Sequence, residues 1–154
     1  MGLVFLQTLQ SEIVANHDTN EGGFYLSPGI QFGWTNAKST FLSFQCTIGY
    51  TSNMFLSGRI TVGKRYYYSK IVKEKLEITY FDLQGATWLG GSGIGLAYKN
   101  KEKKPLFRSK SWGGFFLNFS KDNFYLEEYK ISHYGAIIVL PIPLFEVPCV
   151  GYCG

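Results

Sequence analysis

Between residues 24 and 34 the chain keeps a period of two, with Phe24, Leu26, Pro28, Ile30, Phe32 and Trp34 alternating with Tyr25, Ser27, Gly29, Gln31 and Gly33. Successive side chains of a strand point to opposite faces, so an alternation this long requires an extended strand with one apolar face and one small or polar face. After a turn at 36–39 the pattern resumes, with Leu42, Phe44, Cys46, Ile48 and Tyr50 opposite Phe41, Ser43, Gln45, Thr47 and Gly49. A third run sets Leu56, Ile60 and Val62 against Ser57, Arg59, Thr61 and Gly63 and continues into Tyr66, Tyr67 and Tyr68. Residues 52–53 read as a tight hairpin turn, which makes these three strands an antiparallel meander.

The rest of the chain continues in the same way. Leu76, Ile78 and Tyr80 start a fourth strand that runs toward Trp88, and Gly90-Gly91 ends it. Ile94, Leu96 and Tyr98 alternate with Gly93, Gly95 and Ala97 in a fifth strand, followed by a basic loop at 100–104. A sixth strand is expected over about 106–119. Ser120-Lys121-Asp122-Asn123 is a turn by composition. A seventh strand covers about 124–142, with a division near His133-Tyr134-Gly135. A helix is excluded at residues 91–95, because glycine in a helix interior costs about 1 kcal/mol relative to alanine and three of these five positions are glycine. With an amphipathic opening at 3–14 the segments number about eight. The expected fold is all-β, an antiparallel up-and-down meander closing into a barrel of about eight strands. No repeat or linker divides residues 1–154, so a single domain is expected, and 154 residues suffice for one without disulfides or metals.

In a soluble barrel or sandwich the solvated face usually carries Lys, Glu, Asp and Arg. Here that face is Ser, Thr, Gly and Gln, and charged residues make up only 17% of the chain against 18% aromatic. A membrane barrel inverts the arrangement, turning aromatic and aliphatic residues to lipid and small or polar ones into the lumen. Through the runs FYLSPGIQFGWT, TFLSFQCTIGYT and LSGRITVG the chain resembles the small outer-membrane β-barrels of bacteria, in particular the eight-stranded class. The resemblance implies a bacterial outer-membrane location, membrane lipid as surroundings, and a structural or interaction role without catalysis. Two other readings stay open: a soluble barrel or sandwich binding an apolar small molecule within its aromatic face, and a barrel enzyme that modifies lipids.

Little in the sequence points to a specific chemistry. A net charge of +4, gathered partly at 99–110, suits no nucleic-acid module. Cys46, Cys149 and Cys153 match neither a disulfide framework nor a zinc ribbon. The apolar run 136–145 is interrupted by Pro141 and Pro143 and is too short for a membrane helix. Residues 2–6 lack a basic flank and a small-x-small cleavage site, so the expectation is that either the chain is not exported or its signal has been removed. Glu12, His17, Asp18 and Glu21 read as a solvated loop, His133 with Glu127 as a strand-end charge cluster, and Gly90-Gly91-Ser92-Gly93 as a turn without the Lys-Ser/Thr ending of a phosphate loop. Ser27, Ser43, Ser57 and Ser92 lack a Gly-x-Ser-x-Gly elbow that would single one out. No catalytic residue, metal or cofactor is therefore expected. Lys99, Lys101, Lys103, Lys104, Arg108 and Lys110 form the candidate contact for an anionic lipid or a protein partner. Arg59, Gln31 and Gln45 are expected in the lumen, with Arg59 paired to a carboxylate such as Glu77 or Glu127.

Overall fold

A computed structural model describes residues 22–52, 56–69, 74–87, 89–99, 105–114, 118–125 and 130–147. The alternating runs become β1 (Gly22–Thr35), β2 (Thr40–Ser52), β3 (Leu56–Ser69), β4 (Glu74–Ala86), β5 (Gly90–Lys99), β6 (Pro105–Gly113), β7 (Asn118–Tyr125), β8 (Lys130–Val139) and β9 (Ile142–Val147). From β1 to β8 each strand pairs antiparallel with the next, and β8 returns to β1, so eight strands close into a barrel. Closure leaves no free sheet edge along this wall. The ninth strand lies on the same edge of β1 as β8. Residues 29–35 of β1 pair with β8, and after Leu140-Pro141 residues 22–26 pair with β9.

The register sets the barrel's shape. Hydrogen-bonded partners lead from Thr35 through His133, Asp122, Lys110, Gly93, Gln84, Arg59 and Gly49 back to β1 at Tyr25, a shift of ten residues along the strand. Eight strands with that shear tilt by roughly 40–45° and enclose only enough room for their own side chains. At about 3.3 Å per residue, strands of 8 to 14 residues rise about 19–34 Å along the axis.

Four sequence expectations are corrected. Residues 120–123 are not a turn but the middle of β7, and 133–135 do not divide a strand but lie inside β8. The region read as a sixth and a seventh strand is β6, β7, β8 and β9, which completes the eight barrel strands without the 3–14 segment; that segment lies outside the described residues. In β4 the residues Ile78 and Tyr80 turn inward, and Phe81 and Leu83 take the outer face. The 36–39 turn is present, closed by Thr35 N donating to Ser39 O and Lys38 N to Thr35 O, with Lys38 at φ 59°.

The faces sort by polarity as the alternation requires. Outside stand Ile30, Phe32, Trp34, Leu42, Phe44, Ile48, Ile60, Val62, Phe81, Leu83, Ile94 and Leu96, many about half exposed. Inside are Ser27, Gln31, Ser43, Gln45, Thr47, Thr61, Arg65, Asp82, Gln84, Arg108, Lys110, Ser120, Asp122 and His133, all buried.

Candidate functional site

The most constrained group of side chains is the charged layer inside the barrel. Arg65 on β3 and Arg108 on β6 are each 0% exposed, as are Asp82 on β4 and Asp122 on β7. Asp122 stands between the two guanidinium groups. Its Oδ2 accepts from Arg65 Nη2 and, at 2.9 Å, from Gln31 Nε2, and its Oδ1 is 3.2 Å from Arg108 Nη2. Arg108 Nη1 donates to Asp82. Arg65 Nη2 also donates to Gln31 Oε1 at 2.8 Å, and Gln31 Nε2 to Ser120 Oγ at 2.6 Å. Arg65 Nη1 lies 2.7 Å from His133 Nδ1. Arginine has no acceptor, so the imidazole nitrogen accepts. Guanidinium is the cation suited to such a place, because its planar fork serves several acceptors at once while its faces stack on rings. Arg65 Cζ lies 4.1 Å above the Phe41 ring, and Arg108 Cζ 3.9 Å above Tyr80.

Two glycines allow these contacts. Tyr80 leans across Gly63 on the neighbouring β3 to place its hydroxyl 2.8 Å from Ser43 on β2, and a Cβ at position 63 would strike the Tyr80 ring end. Asp82 leans across Gly95 on β5 to reach Arg108 on β6, and a Cβ at 95 would meet its carboxylate oxygen at 2.5 Å. Side chains can bridge strands that are not neighbours because the strand between them presents no side chain there.

The layer separates two unlike ends. Toward the rim with the 36–39, 70–73, 100–104 and 126–129 connections, Ile78, Tyr80, Ala97 and Phe124 form an apolar cluster with Tyr67 and Leu106 against it. Toward the other rim the lining is polar. Thr47 and Thr61 hydroxyls meet at 2.8 Å, Gln84 Nε2 donates to Thr61 Oγ1, and Arg59 Cζ lies 4.3 Å from the Trp112 ring.

The structure divides the basic group of the sequence. Arg108 and Lys110 alternate into the interior of β6, and Lys110 Nζ donates to Gln45 Oε1 at 3.1 Å. Lys99 ends β5, while Lys101, Lys103 and Lys104 lie outside the described residues. Gln31 and Gln45 are interior. Arg59 is partly buried against Trp112, whereas Glu77 is on the opposite face of its strand, bonded to Lys64. The expected Arg59–Glu77 pair does not form because the β3–β4 register puts the two residues on different faces. Glu127, the other carboxylate considered, lies outside the described residues, as do Glu12, His17, Asp18 and Glu21. His133 is inside the barrel wall and bonded to Arg65. Among the described residues no cluster of metal-ligating side chains occurs.

Sequence reasoning missed Arg65, Asp82 and Asp122. Arg65 stands at the polar parity of its alternating run, whereas Asp82 shares the parity of Ile78 and Tyr80 and Asp122 sat in a turn-like tetrapeptide.

Polar groups interrupt the outer wall at the Lys64–Glu77 pair on β3 and β4 and in a strip across three further strands. Ser109, Asn123 and Ser132 lie side by side across β6, β7 and β8, with Asn123 Nδ2 donating to Ser109 at 3.3 Å and Ser132 to Asn123 Oδ1 at 2.9 Å. Lys121 and Ser111 pair next to them, the lysine 5.5 Å from the Tyr134 ring.

No protein-family model matches the chain, and no curated protein matches it. Among solved structures it is similar to one described as de novo design of transmembrane β-barrels, at 12% identity over 77% of this chain and 95% of that chain, with a TM-score of 0.47. That is a likeness of outline alone.

Proposed function

We propose that this chain is a small membrane-embedded β-barrel with a structural or interaction role, not a catalytic one, and that it resides in the bacterial outer membrane. The observation that carries the reading is the inversion of polarity. The outer wall is built from Ile, Leu, Val, Phe and Trp, while four ionisable side chains at 0% exposure are paired within. In water that arrangement would expose an apolar surface over most of the wall, far beyond the few hundred Å² usual on a soluble monomer. In a bilayer the same wall faces hydrocarbon, and each of the eight barrel strands pairs with a neighbour on both sides. The strand rise suits an apolar band of about 25 Å. The bacterial location is taken from the resemblance of the first three runs to the small outer-membrane barrels of bacteria.

The packed lumen argues for a barrel that does not conduct, since the charged layer and the apolar cluster of Phe124 and Ile78 fill it in series. The same filling argues against an apolar ligand pocket. At the rim, Lys99 and the 100–104 connection with Lys101, Lys103 and Lys104 are assigned to anionic headgroups. The strip around Lys121 is assigned to a protein partner, because a bare lysine near the bilayer midplane costs about 2–4 kcal/mol.

Cell fractionation, followed by gel mobility of unboiled and boiled protein, tests the reading. Recovery with detergent-extracted membranes and a heat-dependent shift are expected. Recovery in the soluble fraction with no shift would overturn it.

A further inference from the structure

Among the described residues the fully buried charges of the barrel do not balance. Arg65, Arg108 and Lys110 stand with Asp82 and Asp122, three cations and two carboxylates, none more than 3% exposed. An uncompensated buried charge is costly, and proteins meet that cost by pairing, by binding a counter-ion or, for a lysine, by giving up the proton. The excess falls at Lys110. Asp122 lies between both guanidinium groups and Asp82 bonds Arg108. For the Lys110 ammonium the acceptor within hydrogen-bond reach among the described residues is the neutral amide oxygen of Gln45. An ammonium has three hydrogens to donate.

Arg108 precedes Lys110 by two residues on the same inward face of β6; its Nη2 faces Asp122 Oδ1 at 3.2 Å, while its Nε and the carboxylate oxygen Asp82 Oδ1 make no hydrogen bond among the described residues. The donors left over on Lys110 and at Arg108 Nε therefore stand beside a net positive charge. Beyond Lys110 toward the polar rim the described lining is neutral or cationic: Gln84, Thr47 and Thr61, then Arg59 over Trp112. In the other direction the apolar cluster closes the lumen. A low-dielectric interior strengthens the attraction of such a place for an anion, and its tight packing admits only a small one.

We infer that the barrel interior binds one small monovalent inorganic anion, of halide type, against Lys110, reached from the rim that carries the 53–55, 87–89 and 114–117 connections. The inference rests on the interior alone and holds whether the outer wall meets lipid or water, so a soluble-fraction result would leave it standing.

Two measurements on the folded full-length chain test it. Thermal unfolding is followed in sodium chloride and in sodium gluconate at equal ionic strength, gluconate being too large to enter. The wild-type midpoint is expected to rise with chloride and level off about 3–5 °C higher, while Lys110→Met, which keeps the chain length and loses the charge, responds to neither salt. Crystals grown in bromide are expected to show an anomalous peak within hydrogen-bond distance of Lys110 Nζ. Equal wild-type midpoints in the two salts, a chloride response retained in Lys110→Met, or no bromide at Lys110 would each overturn the inference. The bromide measurement uses wild-type protein and decides the matter even where the variant does not fold.

Discussion

Asp122 shows how one side chain can hold an interior together. It takes hydrogen bonds from strands β1 and β3 and faces a second guanidinium from β6, so four of the eight barrel strands meet at one carboxylate. Asp122→Asn keeps the shape and removes the charge, leaving Arg65 and Arg108 buried with Asp82 as their one carboxylate partner. Breaking a buried ion pair from one side costs about 3–5 kcal/mol, since the remaining charge is left uncompensated. The variant is expected to lower the urea midpoint of the folded barrel correspondingly, and an unchanged midpoint would mean that the network adds little. At this scale the sequence was partly legible. The parity of Gln31, Gln45 and Arg59 placed them inside by alternation alone, whereas the partners of Arg59 could not be inferred. Its contact with Trp112 joins residues on strands three apart around the barrel, and local patterning carries no information about that distance.

For single strands, what reads clearly is the period and what reads poorly is the end. A lumen-facing strand of a narrow barrel uses Ser, Asp, Asn and Gly, which are also the residues of turns. Residues 120–123 look like a turn for that reason, yet the inward pair Ser120 and Asp122 is satisfied by Gln31 and Arg65 in mid-strand. The opposite parity of β7 carries Lys121 to the outer wall, in the strip with Ser111 and Asn123. If that wall meets hydrocarbon, Lys121→Leu removes an unfavourable group and is expected to raise the unfolding midpoint in lipid vesicles by about 2–4 kcal/mol of stability near the midplane. In water the same change would enlarge an exposed apolar patch and promote association without that gain. Comparing the variant in vesicles with the wild type therefore reads the solvent of β7 directly.

Taken as a whole, the molecule is a closed wall around a filled lumen. Eight strands sheared by ten residues leave an interior the width of its own side chains, and Arg65, Arg108, Tyr80 and Phe124 occupy it across successive levels. Reconstituted in a planar bilayer, the protein is expected to give no stepwise conductance in potassium chloride. Regular steps that vanish on boiling would contradict the packed interior. The sequence by itself determined that the chain forms antiparallel strands with one greasy and one small, polar face, because the period of two needs only neighbouring residues to be read. It favoured the polarity inversion, since composition supplies so few charges for an outer face, but left a soluble barrel with its aromatic face inward as the alternative. Tertiary structure decided which charges meet. Alternation orders the faces of one strand relative to itself, but a slip of one residue between strands would exchange inside and outside, and only closure of β8 onto β1 sets the register of all eight at once. That closure turned Arg108 and Lys110 from a presumed surface patch into the core and brought Asp122 between two arginines distant in the chain.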